Sequence, residues 1–119
     1  MARFLLQRLA EALVKKSDIN GAMDLVNQVR ARVSLDPKTA ADATTAENII
    51  ANERRLELAF EGHRWYDLVR TGKAVEVMNA QKDGAGNNLN YNIQPFRLIM
   101  PIPQPQIDLN PLLTQNPNY

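Results

Sequence analysis

The chain has 119 residues, enough for one domain or a piece of one, and its 45% hydrophobic and 23% charged residues are typical of a folded globular protein. Its 14 basic and 13 acidic side chains leave a net charge of +1, which disfavours binding to the phosphate backbone of nucleic acid. The absence of cysteine excludes disulfides, thiol catalysis and thiolate metal sites, and no apolar run approaches the roughly 18 residues that cross a bilayer.

The first 33 residues are predicted to form a helical hairpin. Apolar residues recur at helical spacing through residues 2–16, until the polar segment "KKSDING" interrupts the pattern. Asp18 can cap a second helix that runs to Val33 with its apolar residues on one face. This hairpin, residues 1–33, resembles in length one tetratricopeptide-type unit of roughly 34 residues. Because such a unit cannot cover its own apolar faces, we expect neighbouring helices to pack on it.

Residues 44–80 are predicted to form further helices that carry many of the charged side chains. Thr44 and Glu47 match the capping-box pattern S/T-x-x-E, which predicts that a third helix begins there. Three large apolar side chains at helical spacing are expected to form its buried stripe: Ile49, Leu56 and Phe60. Gly62 and Gly72 are expected to end or bend helical segments, because glycine tolerates a positive φ.

The remaining segment, residues 81–119, is predicted to be a long, ordered, loop-rich tail. Its first part, "QKDGAGNNLNYN", is typical of turns, and "FRLIM" indicates a short strand-like or extended run. The prolines of "PIPQPQ" predict that this stretch is not helical. The expected fold is therefore mainly α, with a tetratricopeptide-like hairpin and further helices followed by a Pro/Asn-rich C-terminal loop region.

The stretch "ERRLELAFEGHRWYDLVR" mixes many charges with bulky apolar side chains. On a helix Glu53, Glu57 and Glu61 would share a face and repel one another, so cations are expected to oppose them. Arg30 and Arg32, near the end of the second helix, are candidate tertiary partners. The alternative is that two of these carboxyl groups act as the acid and the base of a glycosidase. That role needs surroundings that separate the pKa values of the two groups, and the sequence indicates none. We predict a structural ion-pair network of these residues: Glu53, Arg54, Arg55, Glu57, Glu61, Arg64 and Asp67.

Two further features of that stretch admit a functional interpretation. His63 and Asp67 could both reach a metal from one helix, but two ligands do not make a site and the chain has no other histidine. Trp65 and Tyr66 could stack on a sugar, although helical spacing with Leu68 favours a place in the core for Trp65. We therefore predict no metal site and no catalytic residue.

The loop-rich tail holds better candidates for ligand contact. In "NNLNYN", residues 87–92, several amides and one tyrosine lie on a loop, the element that most often carries binding residues. Asparagine is also a common turn residue, so a purely structural role is the alternative. The candidate ligand-binding residues are Asn90 and Tyr91.

Four segments together resemble one protein family. "NQVRAR", "ERRLELAFEGHRWYDLVRTGKA", "LIMPIPQPQIDLNP" and the terminal "LTQNPNY" are similar, in this order, to the C-terminal part of SusD/RagB-type nutrient-binding proteins. The resemblance extends over nearly the whole chain. Residues 1–119 are accordingly expected to be a single domain or a fragment, the C-terminal part of a SusD-like protein. In the family, the positions of the charged stretch belong to the scaffold.

The resemblance implies a binding protein that is not an enzyme and needs no cofactor. It implies a lipoprotein on the cell surface, in the Gram-negative outer membrane, that captures oligosaccharides or other nutrients for a SusC-like TonB-dependent transporter in polysaccharide utilisation. The family's signal peptide and lipidated cysteine are expected to lie outside this sequence, which would then be a fragment. A tetratricopeptide-like protein docking module without carbohydrate binding is the alternative.

Overall fold

The computed structural model describes residues 2–119, with side chains from Phe4 onward. It is mainly helical, as predicted: the described part of the chain contains six α-helices and one 3-10 helix, and no strand. The chain divides into two compact units, Met1–Arg64 and Trp65–Tyr119. Of the helices described, none is long and apolar enough to cross a bilayer.

The first unit consists of three helices that pack on one another. They are α1 (Ala2–Lys15), α2 (Ile19–Ala31) and α3 (Ala43–Glu57). The first two helices end slightly before the predicted residues Lys16 and Val33. Their buried faces form the core, in which three fully buried alanines allow close approach of the helices: Ala10, Ala22 and Ala46.

Aspartates cap two of these helices. Asp18 caps α2 as predicted, since its carboxylate accepts a hydrogen bond from the Gly21 backbone N–H at 2.9 Å. A Cβ atom at residue 21 would lie less than 3.0 Å from an oxygen of that carboxylate, so a larger residue there would displace the capping side chain. The capping box predicted for α3 is wrong, because Asp42 caps this helix and accepts hydrogen bonds from the Thr45 N–H at 2.8 Å and hydroxyl at 2.9 Å. Thr44 lies inside the first turn.

The predicted buried stripe of α3 is also wrong at two of its three positions. Leu56 and Phe60 are exposed, and only Ile49 is partly buried. Phe60 lies beyond the end of the helix, in a turn where its φ is +66°. Four residues form the buried face of α3 instead, and two of them are charged: Ala46, Ile50, Glu53 and Arg54. Gly62, the predicted stopping or bending point, has a φ of +73° but lies five residues beyond Glu57, the last residue of α3.

The second unit holds three short helices and the 3-10 helix, with α4 beginning at the unit boundary. They are α4 (Arg64–Arg70), α5 (Ala74–Asn79), the 3-10 helix Pro95–Leu98 and α6 (Gln104–Leu109). The prediction of a strand-like run in "FRLIM" is wrong for its first three residues, which belong to the 3-10 helix. The prediction that "PIPQPQ" excludes a helix is wrong as well, since α6 begins inside it. Pro105 lies in the first turn of α6, where a backbone N–H would have no helical partner.

The last residues of the chain hydrogen-bond to an extended segment of the same unit, residues 99–102. The Gln115 amide accepts from the Ile102 N–H at 2.8 Å and donates to the Ile102 carbonyl at 2.9 Å. The Asn116 amide donates to the Met100 carbonyl at 2.7 Å, and the Tyr119 hydroxyl donates to the Ile99 carbonyl at 2.8 Å. We call this set of side-chain to backbone contacts the C-terminal clasp.

Candidate functional site

The candidate residues Asn90 and Tyr91 lie in a closed loop of the second unit, residues 81–93, which we call the asparagine loop. Backbone hydrogen bonds join the two sides of its first half. The Leu89 N–H donates to the Gln81 carbonyl at 3.0 Å, and the Asp83 N–H donates to the Asn87 carbonyl at 2.9 Å. The loop is therefore folded by its own backbone contacts.

The Asp83 carboxylate organises the turn at the tip of this first half. One of its oxygens accepts from the Ala85 N–H at 2.9 Å and from the Asn87 N–H at 2.8 Å. The other accepts from the Asn87 side-chain amide at 3.0 Å. These hydrogen bonds, those from the Asn87 side chain and backbone foremost, lower the pKa of the Asp83 carboxyl below its ordinary value.

The order of this turn is expected to depend on pH. Because the pKa of Asp83 is lowered in the folded loop, its stabilising contribution is complete above the ordinary carboxyl pKa of about 3.9 and is lost as the pH falls through the lower folded value. Hydrogen exchange of the Asn87 amide should show a smaller protection factor at about pH 3 than at about pH 6. Asp83→Asn retains an acceptor oxygen but does not titrate, so its protection should not change with pH. Equal protection of the wild type at both pH values would contradict this prediction.

The second half of the loop is held by the side chain of Asn79, the last residue of α5. Its amide nitrogen donates to the Ile93 carbonyl at 3.0 Å, and its oxygen accepts from the Ile93 N–H at 2.6 Å. Asn90 and Asn92, on either side of Tyr91, have φ values of +51° and +48°. Asparagine adopts this left-handed conformation more readily than most residues, so the residue type suits the backbone on both sides of Tyr91.

The loop presents Tyr91 to solvent, with 47% of the residue exposed. Two asparagine amides near it are already engaged, because Asn87 donates to Asp83 and Asn92 accepts from Gln94 at 2.8 Å. The side-chain amides of Asn88 and Asn90 are exposed and form no hydrogen bond with any residue that the structure describes. The structure thus separates the asparagine side chains that are engaged within the unit from those that remain available to a ligand.

The charged stretch contains a buried ion pair between α2 and α3. Glu53 pairs with Arg30, and their side chains are only 5% and 10% exposed. Lys38 approaches the same carboxylate at 3.5 Å. Arg30 also donates to the Asp36 carbonyl at 2.7 Å. These contacts join α3 to the end of α2 and to the segment that follows it.

A second set of contacts joins α3 to α1. The buried guanidinium of Arg54 lies 3.4 Å from the Glu11 carboxylate and 5.1 Å from the centre of the Phe4 ring, in cation–π geometry. Arg8 also pairs with Glu11, at 3.5 Å. Arg54 therefore packs as part of the first unit's interior.

The other residues of the predicted network lie in more exposed places. Glu57 pairs with Arg32 at 2.8 Å. Asp67 pairs with Arg70 at 2.7 Å, next to Arg64 in the same short helix, α4. Arg55 is exposed. In addition to the buried pair, the charged stretch thus forms a more exposed pair with the residue after α2, Arg32, and a local pair within α4.

The remaining candidates of the stretch are placed as follows. The ring centre of His63 lies 5.8 Å from that of Phe4, and its Nε2 atom lies 4.0 Å from the Glu61 carboxylate. Within the described residues, no three histidines or acidic residues come together as metal ligands would. Trp65 is half-buried, whereas Tyr66 is 73% exposed.

Sequence reasoning missed several residues on which these arrangements depend. Asn79, which holds the asparagine loop, acts on a residue 14 positions away. Glu11 and Phe4 contact Arg54 from another helix. Only the role of Asp83 could have been predicted from the sequence, since an aspartate before "GAGN" favours a turn held by side-chain to backbone hydrogen bonds.

Comparison with known proteins agrees with this architecture. The SusD family model matches residues 2–119. A SusD-like protein of Formosa agariphila is 40% identical over 119 residues, covering 92% of this chain and 22% of that protein. The crystal structure of a SusD-like protein from Bacteroides fragilis matches with a TM-score of 0.80 and 25% identity, covering 98% of this chain and 25% of that one.

A SusD homolog from Bacteroides thetaiotaomicron matches with a TM-score of 0.71 and 28% identity, covering 98% of this chain and 26% of that one. The chain thus spans a minor part of the length of each of these relatives, but the match extends over almost all of its own helices and loops. From this agreement of sequence and fold, the chain belongs to the SusD family.

Proposed function

We propose that this protein is the glycan- or nutrient-binding component of an outer-membrane uptake system and delivers its ligand to a SusC-like TonB-dependent transporter at the cell surface. The observation that carries the proposal is the family match, which extends over residues 2–119. Proteins of this family bind glycans or other nutrients. A lipid anchor would attach the protein to the outer membrane.

The proposed function involves binding without catalysis. The most buried carboxylate of the charged stretch, that of Glu53, lies between Arg30 and Lys38. Its side chain is only 5% exposed, whereas the two carboxyl groups of a glycosidase must flank the bond of a bound sugar. This arrangement supports a structural role for the stretch.

The alternative, a protein docking module, has one observation in its favour. Among the described residues of the first unit, Leu5 and Leu9 on α1 are exposed. Apolar side chains one helical turn apart are typical of a helix face that receives another helix. This face would bind a partner protein if the protein has no carbohydrate ligand.

Isothermal titration of the full-length protein against a panel of oligosaccharides tests the proposal. We expect saturable binding of at least one glycan and co-purification with a TonB-dependent barrel from the outer-membrane fraction. Absence of binding to every glycan and nutrient tested, with a stable complex to another protein, would favour the docking module. Release of shortened products, abolished by Glu57→Gln, would contradict the non-enzymatic function.

A further inference from the structure

We propose that the asparagine loop contacts the ligand directly and binds a neutral saccharide. The Tyr91 ring would stack on the apolar face of a pyranose, and the amides of Asn88 and Asn90 would hydrogen-bond to its hydroxyls. This inference rests on the proposed function and names a binding site for it.

The groups available on the loop match the two sides of a sugar ring. Tyr91 offers an aromatic face for the C–H groups, and its hydroxyl forms no hydrogen bond with the described residues. Each free amide offers one acceptor oxygen and two N–H donors, which suits a pair of neighbouring hydroxyls. Asn88, Asn90 and Tyr91 are all exposed and lie within four consecutive residues, and the proposal assigns all three to one sugar residue.

The loop is organised before any ligand binds. The Asp83 carboxylate holds the turn, and the Asn79 amide holds the other end at Ile93. Asn90 and Asn92, on both sides of Tyr91, have the left-handed conformation that asparagine adopts readily. A loop ordered in this way loses little conformational entropy on binding, so weak individual contacts can add up to measurable affinity.

The charges of the loop favour a neutral ligand. Residues 81–93 contain one lysine and one aspartate, so their formal net charge is zero. The Asp83 carboxylate already accepts hydrogen bonds from Ala85 and Asn87. What the loop offers a ligand is therefore an aromatic face and amides, which recognise hydroxyl-rich uncharged molecules.

The test uses the full-length protein and a glycan that the wild type binds in the panel described above. Tyr91→Ala is expected to raise the Kd about tenfold, because it removes the stacking surface. Tyr91→Phe should change the Kd by less than about threefold, since it keeps the ring. Tyr66→Ala is the matched control: Tyr66 is also an exposed tyrosine of the second unit, and its loss should leave the Kd unchanged.

A second variant tests the amides without disturbing the backbone. Asn90→Gly removes the side chain and is compatible with the positive φ at this position, so the loop should keep its conformation. We expect it to weaken binding several-fold. Wild-type affinity in both Tyr91→Ala and Asn90→Gly would overturn the loop site and leave glycan binding intact. A wild-type protein that binds no glycan would overturn the proposed function, and this inference with it.

Discussion

Glu53→Ala is expected to lower the free energy of unfolding by about 3–5 kcal/mol. The Glu53 side chain is only 5% exposed and pairs with Arg30, which is 10% exposed, so the substitution leaves a guanidinium buried without its carboxylate. The hydrogen bond from Arg30 to the Asp36 carbonyl remains, but it does not neutralise the charge. Urea denaturation of wild type and variant measures the loss.

Glu47→Ala is the matched control for this experiment, because Glu47 is on the same helix, α3. It pairs with Lys15, whose side chain is 76% exposed, and such solvated pairs contribute about 0–1 kcal/mol. A large difference between the two variants would show that burial of the pair determines its effect. Equal losses of stability would contradict the structural role of the Arg30 to Glu53 pair.

Gln115→Ala is expected to destabilise the second unit by about 1–3 kcal/mol. The Gln115 amide satisfies both the N–H and the carbonyl of Ile102, and both residues are partly buried. Alanine would leave these two backbone groups without the side-chain partner. Thermal denaturation and hydrogen exchange of the Ile102 amide measure the effect.

Thr114→Ala serves as the control for the C-terminal clasp, because Thr114 is the exposed residue next to Gln115. It should leave both the melting temperature and the protection of the Ile102 amide near their wild-type values. If Gln115→Ala also left the Ile102 amide protected, the clasp would not hold residues 99–102 in place.

The helices of the first unit were predictable because their signals are local. Apolar residues at helical spacing indicated α1 and α2, and Asp18 marked the start of α2 through a contact with a residue three positions away. The same reasoning named the wrong cap for α3, because it followed the capping-box pattern of Thr44 and Glu47, whereas Asp42, a more favourable N-cap residue type, caps the helix.

The buried face of α3 was not predictable in the same way. A hydrophobic pattern assigns Leu56 to the interior and Glu53 to the surface, whereas the structure does the reverse. Glu53 can be buried because Arg30 and Lys38, distant in sequence, meet its carboxylate. The segment predicted the presence of ion pairs, but not which pair would lie in the interior.

The candidate ligand-binding residues were also predictable only in part from the sequence. The composition of "NNLNYN" indicated a loop that could contact a ligand, and it placed Asn90 and Tyr91 in that loop. It could not tell the amides that shape the loop from those that remain exposed, because that depends on Asp83, Asn79 and Gln94.

The sequence by itself determined the helical class, the start of α2 and the family resemblance, because these depend on residue order and on contacts within a few positions. Tertiary structure alone decided which charges are buried, which asparagines stay available and how the tail is held. The physical reason is that burying a polar group is favourable only when a partner satisfies it. For Glu53 and for Ile102, those partners come from residues 23 and 13 positions away.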